Sequence, residues 1–424
     1  MVVALYQEIV GVDRPGAALG LLCFFWGGGV VALAGFIHGL AITEPPLAHM
    51  LDYDPFGGFW FLNLGRNLIF TTEAFYHLIF LSGILLVLHR RFAAALACTA
   101  LLSASHPFSG LQLIAVLGVW GIVERIFGGM DRPPRFFLVM LTALGAFHVG
   151  YYLCFLDYAS KDHHALHQQW SLDWVLPVSS MLAAYGPVAL LAATAVVTRW
   201  RHGHLFTRVD RLLLIWAAVS LALAKHDLLI APVQPLHFTR GYIWTPLFLL
   251  GAPLLVRAFG AASGIAVARL VVTCAIVGLF LSDNAVWFLL TSSAEHRGAQ
   301  NYGLTLDPQE HAVIETFRDP RYAGYLIVSQ SEKLGYLATA YSPLRSWRSH
   351  RFSTPQAKLR ETEINRFFAY GAEPSGWHDR PILAVAERDR AAAVNHLKDD
   401  GFHPVLTNDR FVILARATVS APTR

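Results

Sequence analysis

The chain has 424 residues, of which 55% are hydrophobic and 15% charged, where a soluble domain carries about 25% charged residues. That deficit excludes an ordinary soluble globule and points to a membrane. The formal charge of +4 is carried by scattered arginines rather than by a basic block interleaved with aromatics, so no nucleic-acid partner is expected.

Taken along the chain, nine apolar stretches approach the roughly 20 residues that a helix needs to cross a bilayer. They are 16–42, 67–88, 92–105, 111–127, 136–156, 172–198, 212–230, 242–256 and 270–290. Three of them (92–105, 111–127 and 242–256) are short, which sets the expected count at about eight to nine spans. The first is too long for the roughly 7–15 residue core of a signal peptide and is followed by a polar loop, so it reads as a retained helix. Cys23, Cys98, Cys154 and Cys274 all fall in apolar stretches without CxxC spacing, the setting of buried free thiols.

Short cytoplasmic loops collect Lys and Arg. Nine crossings from an inside N-terminus place 12 basic residues inside, among them Arg90, Arg91, Arg125, Arg135, Arg199 and Arg208. Only four, Arg66, Lys161, Lys225 and Arg240, fall outside. The expected architecture is therefore an α-helical multi-pass membrane domain over residues 1–290, followed by a small α/β domain over 291–424 on the extracytoplasmic side of the plasma or inner membrane. The second region holds 17 Lys plus Arg and 15 Asp plus Glu, against 16 and 14 in the first 290 residues.

In this topology the outer loops concentrate titratable groups. The first, EPPLAHMLDYDP, carries Glu44, His49, Asp52 and Asp54, and the tight turn SHPFSG carries His106. The third, LDYASKDHHALHQQW, carries Asp157, Lys161, Asp162, His163, His164 and His167, and the fourth carries Lys225, His226, Asp227, His237 and Arg240. Ionisable groups near membrane depth are costly and usually face a cavity or one another, so a polar site at the outer face is expected. Arg240 and His237 follow a proline-broken segment, a placement suited to a phosphate in the headgroup region, since Arg binds phosphate oxygens bidentately; an interfacial anchor is the plain alternative. Asp52 and Asp54 flank Tyr53, and an extended loop would aim both carboxylates one way, as a general base towards a hydroxyl requires; a plain turn before Pro55 is the alternative. In DHHALH, His163 and His167 would share a helix face, a weak signal for a divalent metal, and no cofactor is firmly implied. Glu73 and His77, also four residues apart, form a candidate pair within a span.

From Leu306 the pattern becomes that of a small α/β domain. Asp307 and Pro308 open an amphipathic helix, 325–329 reads as a buried strand, and Thr354 with Pro355 opens a second helix ending near Tyr370. A strand at 382–386, a helix at 388–399 and a hairpin of 404–406 with 411–414 follow. There is no GxGxxG, GKS/GKT or GxSxG pattern, which leaves neither a nucleotide loop nor a nucleophile elbow.

The order of parts resembles the bacterial membrane glycosyltransferases of the GT-C fold class. Three passages carry the likeness: SHPFSGLQL at 105–113, QPLHFTRGYIWTPLFLL at 234–250 and WRSHRFSTPQAKLRETEINRFF at 347–368. The resemblance implies transfer of a sugar from a polyprenyl-phosphate donor to a glycan or other acceptor at the outer membrane face. On that reading Asp52 or Asp54 is the base, and Glu44, His106, Asp157, Lys225, His237, Arg240 and His350 contact substrate. A transporter, with Glu73, His77, Lys225 and Asp227 on its pathway, and a non-catalytic membrane scaffold are the rival readings.

Overall fold

The computed structural model describes all residues except 56–61, 129–131, 160–163, 165–173, 204–205, 262–265, 297–305, 351–353, 378–379 and 418–424. It divides into two compact units, Met1–Phe155 with Ser171–Ser293, and Leu156–Trp170 with Ala294–Arg424.

The first unit is helical. A short helix α1 (Val2–Val10) precedes α2 (Ala17–Trp26) and α3 (Val31–Ala41), which bend by 65° at the intervening glycines. Then come α4 (Leu64–Ile69), α5 (Thr71–Leu88), α6 (Phe92–Ser105), α7 (Pro107–Phe127) and α8 (Arg135–Val149), which continues as a π-helical turn, Gly150–Phe155. The unit closes with α9 (Val178–Arg201), α10 (Arg208–Ala224), α11 (Trp244–Ala261) and α12 (Ala266–His296).

Among the described residues five helical segments are long and apolar enough to cross a membrane, namely α5, α7, α8 with its continuation, α9 and Thr273–Leu290 of α12. The bent pair α2 and α3 makes a sixth if it is one span. By length and composition these helices have the character of membrane spans. Five or six is fewer than the eight or nine expected, because some apolar runs build helices too short to cross: α6 has 14 residues, and α10 has 17 and opens with Arg208, Asp210 and Arg211.

Local chemistry sets the breaks. Pro187 inside α9 cannot donate to the Ala183 carbonyl four residues back; that oxygen instead accepts from Val30 N–H at 2.8 Å, tying the α2–α3 break to α9. A Cβ on Gly29 would lie 2.2 Å from the same oxygen, so only glycine fits there. Thr207 and Asp210 form a capping box at α10. Consecutive antiparallel helices gather the start of α5, the α6–α7 turn and the α10–α11 connection at one end of the unit. The arginine-bearing turns after α5, α7 and α9 lie at the other.

The second unit holds a five-stranded mixed sheet in the order β2-β1-β3-β5-β4, from β1 (Leu326–Ser329), β2 (Arg345–Ser346), β3 (Ile382–Glu387), β4 (His403–Thr407) and β5 (Phe411–Arg416). β1 runs parallel to β2 and β3, whereas β5 is antiparallel to β3 and β4. Alternation along the central strands sends Leu326, Val328 and Ala384 to one face, and Ile327, Leu383 and Val385 to the other. Helices α13 (Pro308–Arg318) and α14 (Glu332–Tyr341) cover the latter, α15 (Ala357–Tyr370) and α16 (Ala391–Asp399) the former. Asp307 caps α13 in a box with Glu310, as expected. Thr354 does not cap α15: its hydroxyl donates to the His350 carbonyl and accepts from Ser349 N–H, and the helix starts after Gln356.

Candidate functional site

At the end of the first unit where the non-helical turns gather, Arg240 is the centre of a polar cluster. It follows a short 3-10 turn, Pro235–Phe238, which Gln112 of α7 holds by donating to the Phe238 carbonyl at 3.0 Å and to Ser220 Oγ at 2.8 Å. The Arg240 guanidinium pairs with the Glu73 carboxylate and donates through Nη2 to His237 Nδ1 at 2.8 Å. His77 fixes the backbone beneath, with Nδ1 2.7 Å from the Glu73 carbonyl and Nε2 2.7 Å from the Arg240 carbonyl.

His106 completes the cluster. Pro107 at the first position of α7 needs no acceptor, and His106 caps the helix by accepting Ser109 N–H on Nδ1 at 3.0 Å. A neutral imidazole that accepts on Nδ1 carries its proton on Nε2, and here Nε2 stands 3.4 Å from Arg240 Nη1. Two donors thus face one another, the disposition that an oxygen of a bound anion would bridge. Burial, then the Arg240 charge, then the neighbouring histidine push both His106 and His237 well below the ordinary imidazole range, so both rings stay neutral and Arg240 is the cation. Phe108 stacks on His237 at 4.2 Å and Tyr76 packs on His106 at 4.6 Å, holding the rings in place. Glu73 keeps one carboxylate oxygen, Oε2, buried without a hydrogen-bond partner among the described residues, an arrangement that needs an explanation.

His106, His237 and Arg240 therefore lie together, and Glu73 joins them through its carboxylate rather than through a side-chain bond to His77. Asp52 and Asp54 are not brought together. The backbone there turns, with Asp52 N–H on the His49 carbonyl and Asp54 N–H on the Leu51 carbonyl, both at 3.0 Å, so the carboxylates diverge. Asp52 pairs at the surface with His49 at 2.6 Å, whose other nitrogen meets Glu44 at 2.8 Å. Asp54 is buried and takes Arg66 Nη1 at 2.6 Å. Burial raises the Asp54 pKa while Arg66 opposes the rise. Arg66, 1% exposed, also donates to Asn284 Oδ1 at 2.7 Å and to the Asp283 carbonyl at 2.9 Å. The Asp283 carboxylate accepts from Val31 and Ala32 N–H at 3.1 and 2.9 Å, capping α3. This second cluster encloses a void of about 10 Å³ lined by Asp54, Asn63, Arg66 and Asp283, about one water in size. It reads as the brace of the broken helix.

Lys225 donates to Asp227 at 2.8 Å and to the Leu176 carbonyl at 3.0 Å, apart from the Arg240 cluster's hydrogen bonds. The Asp157 side chain and Lys161, Asp162, His163 and His167 lie outside the described residues. His350 belongs to the α/β unit, where its ring packs on Tyr336 at 5.3 Å. Among the described residues no group of three or more His, Cys, Asp or Glu could hold a metal ion. Sequence reasoning missed Glu73 as the partner of Arg240, because 167 residues separate them; its signal was a carboxylate in the first turn of an apolar span.

No protein-family model and no curated protein matches the chain. The resemblance to GT-C glycosyltransferases rests on the three passages of sequence alone.

Proposed function

We propose that the protein is a membrane transferase that takes a sugar from a polyprenyl-phosphate donor and passes it to an acceptor hydroxyl at the end of the bundle that carries Arg240. The observation that carries this reading is the convergence of Arg240, neutral His106 and His237, and a carboxylate with one unsatisfied oxygen. In this scheme Arg240 and His106 Nε2–H hold the donor phosphate. Glu73 Oε2 accepts the acceptor hydroxyl and takes its proton. The bond between the anomeric carbon and the phosphate oxygen breaks, its electron pair leaves on the phosphate, and a carbon–oxygen bond to the acceptor forms. Protonation of Glu73 weakens its hold on Arg240, whose charge then serves the departing phosphate. The base role thus moves from Asp52 and Asp54, one tied to His49 and the other to Arg66, to Glu73. The arginine-rich opposite end supports an inside assignment for that face and an outer one for the site.

Thermal unfolding in detergent with farnesyl phosphate as probe tests the reading. Farnesyl phosphate should raise the wild-type midpoint and leave Arg240→Ala unmoved, while farnesol moves neither. An equal shift from farnesol would remove the phosphate from the argument. One observation favours transport instead: a broken span braced by buried Asp54, Arg66 and Asp283, as at the discontinuous helices of transporters.

A further inference from the structure

At the opposite end of the same unit, the turn between α5 and α6 borders an open hollow of about 420 Å³ lined by Arg90, Arg91, Phe92, Ala93, Ala94 and Phe136. We propose that this hollow seats the headgroup of an anionic phospholipid of the surrounding membrane. It makes no use of the Arg240 site and stands whether or not the transferase reading does.

Charge decides the class of ligand. None of the six lining residues is acidic, Arg90 and Arg91 are exposed, and exposed Arg135 adjoins Phe136. Three guanidinium groups at one membrane-facing end, beside an apolar floor of Phe92, Ala93 and Ala94, complement a phosphate diester with attached chains. The tails have a path. From the hollow, α8 exposes Phe136 (50%), Val139 (65%), Met140 (53%) and Phe147 (67%) along one helical face of about 16 Å. That continuity between a basic pocket and an apolar stripe selects a lipid over free phosphate.

The turn itself is built around arginine where glycine is usual. Arg90 N–H donates to the Val87 carbonyl at 3.1 Å and Arg91 N–H to the Leu86 carbonyl at 2.7 Å, the bond pair of a Schellman motif. Its left-handed residue is Arg90, at φ 60°, where a Cβ is unfavourable and glycine would be better.

The test uses the full chain in nanodiscs of phosphatidylcholine containing a minor fraction of phosphatidylglycerol, with co-purifying lipid counted after transfer to detergent. Wild-type protein should retain phosphatidylglycerol in preference to phosphatidylcholine. Each of Arg90→Gly, Arg91→Gln and Arg135→Gln should cut that preference by about fivefold, the worth of one basic residue at an anionic surface. Arg90→Gly is the informative variant, because it suits the turn: its midpoint of unfolding without lipid should be equal to or above wild type while lipid retention falls. Arg257→Gln, an arginine outside the hollow, should leave the preference intact. Absence of a preference in wild type, an undiminished one when Arg90→Gly, Arg91→Gln and Arg135→Gln are combined, or an equal loss in Arg257→Gln would each overturn the proposal. A midpoint of unfolding raised as much by inorganic phosphate as by phosphatidylglycerol would overturn the choice of a lipid.

Discussion

Replacing Arg66 by Ala should be among the most destabilising single changes in the membrane unit. Its guanidinium makes bonds of 2.6, 2.7 and 2.9 Å to Asp54, Asn284 and the Asp283 carbonyl, and Trp287 lies 5.2 Å across its face. Removal leaves the Asp54 carboxylate, 4% exposed, without its cation, and breaking a buried pair costs about 3–5 kcal/mol. Asp54→Asn removes the charge from the other side and should also be costly, since it strands the buried guanidinium. The double change of Arg66→Met with Asp54→Leu removes both charges and replaces them by apolar volume, so it should recover more than half of the loss. Unfolding in detergent, followed by tryptophan fluorescence as denaturant is added, gives the four free energies of the cycle when Arg66→Met and Asp54→Leu are also measured singly beside wild type and the double. A loss below about 1 kcal/mol for Arg66→Ala, or additive losses in the double variant, would refute the brace.

Asp52→Asn, by contrast, removes only a surface partner of His49. Bonds from Asp52 and then Glu44 raise the His49 pKa above its ordinary value of 6.5. A raised value means that the clamp contributes fully below about pH 6.5 and is lost as pH rises through the higher folded value; the midpoint difference between wild type and His49→Gln should therefore shrink between neutral and alkaline pH. Glu73→Gln should keep the binding of farnesyl phosphate but abolish sugar transfer, a split between binding and turnover that a merely structural carboxylate would not give. In the α/β unit Trp377 is fully buried, with Phe367 at 5.1 Å and Trp347 at 5.4 Å between ring centroids. Trp377→Ala should cost about 3–5 kcal/mol and appear as faster proteolysis within the α/β unit.

The parts of this molecule that were legible in its sequence are those written in local pattern. Asp307 and Pro308 announce their helix because a cap and an N1 proline act within one turn, and the strands at Leu326 and Ile382 announce themselves through continuous apolar residues. His106, His237 and Arg240 were also visible, since each stands beside a proline break in an apolar chain. The span count was not, because hydropathy does not distinguish a full crossing from an apolar helix of only 14 residues such as α6. The direction of Asp54 was hidden for another reason: it is set by Arg66 and by a turn at His49, and an alternating pattern speaks only of extended chain. Glu73 met Arg240 through tertiary packing across 167 residues, and no spacing within a single sequence encodes that meeting.

The measurement closest to the central claim is native mass spectrometry of protein released from nanodiscs that contain undecaprenyl phosphate. Wild type and Glu73→Gln should carry the lipid as a resolved mass increment, and Arg240→Ala should lose it while remaining folded. Equal retention by wild type and Arg240→Ala would contradict the assignment of Arg240 to a lipid phosphate.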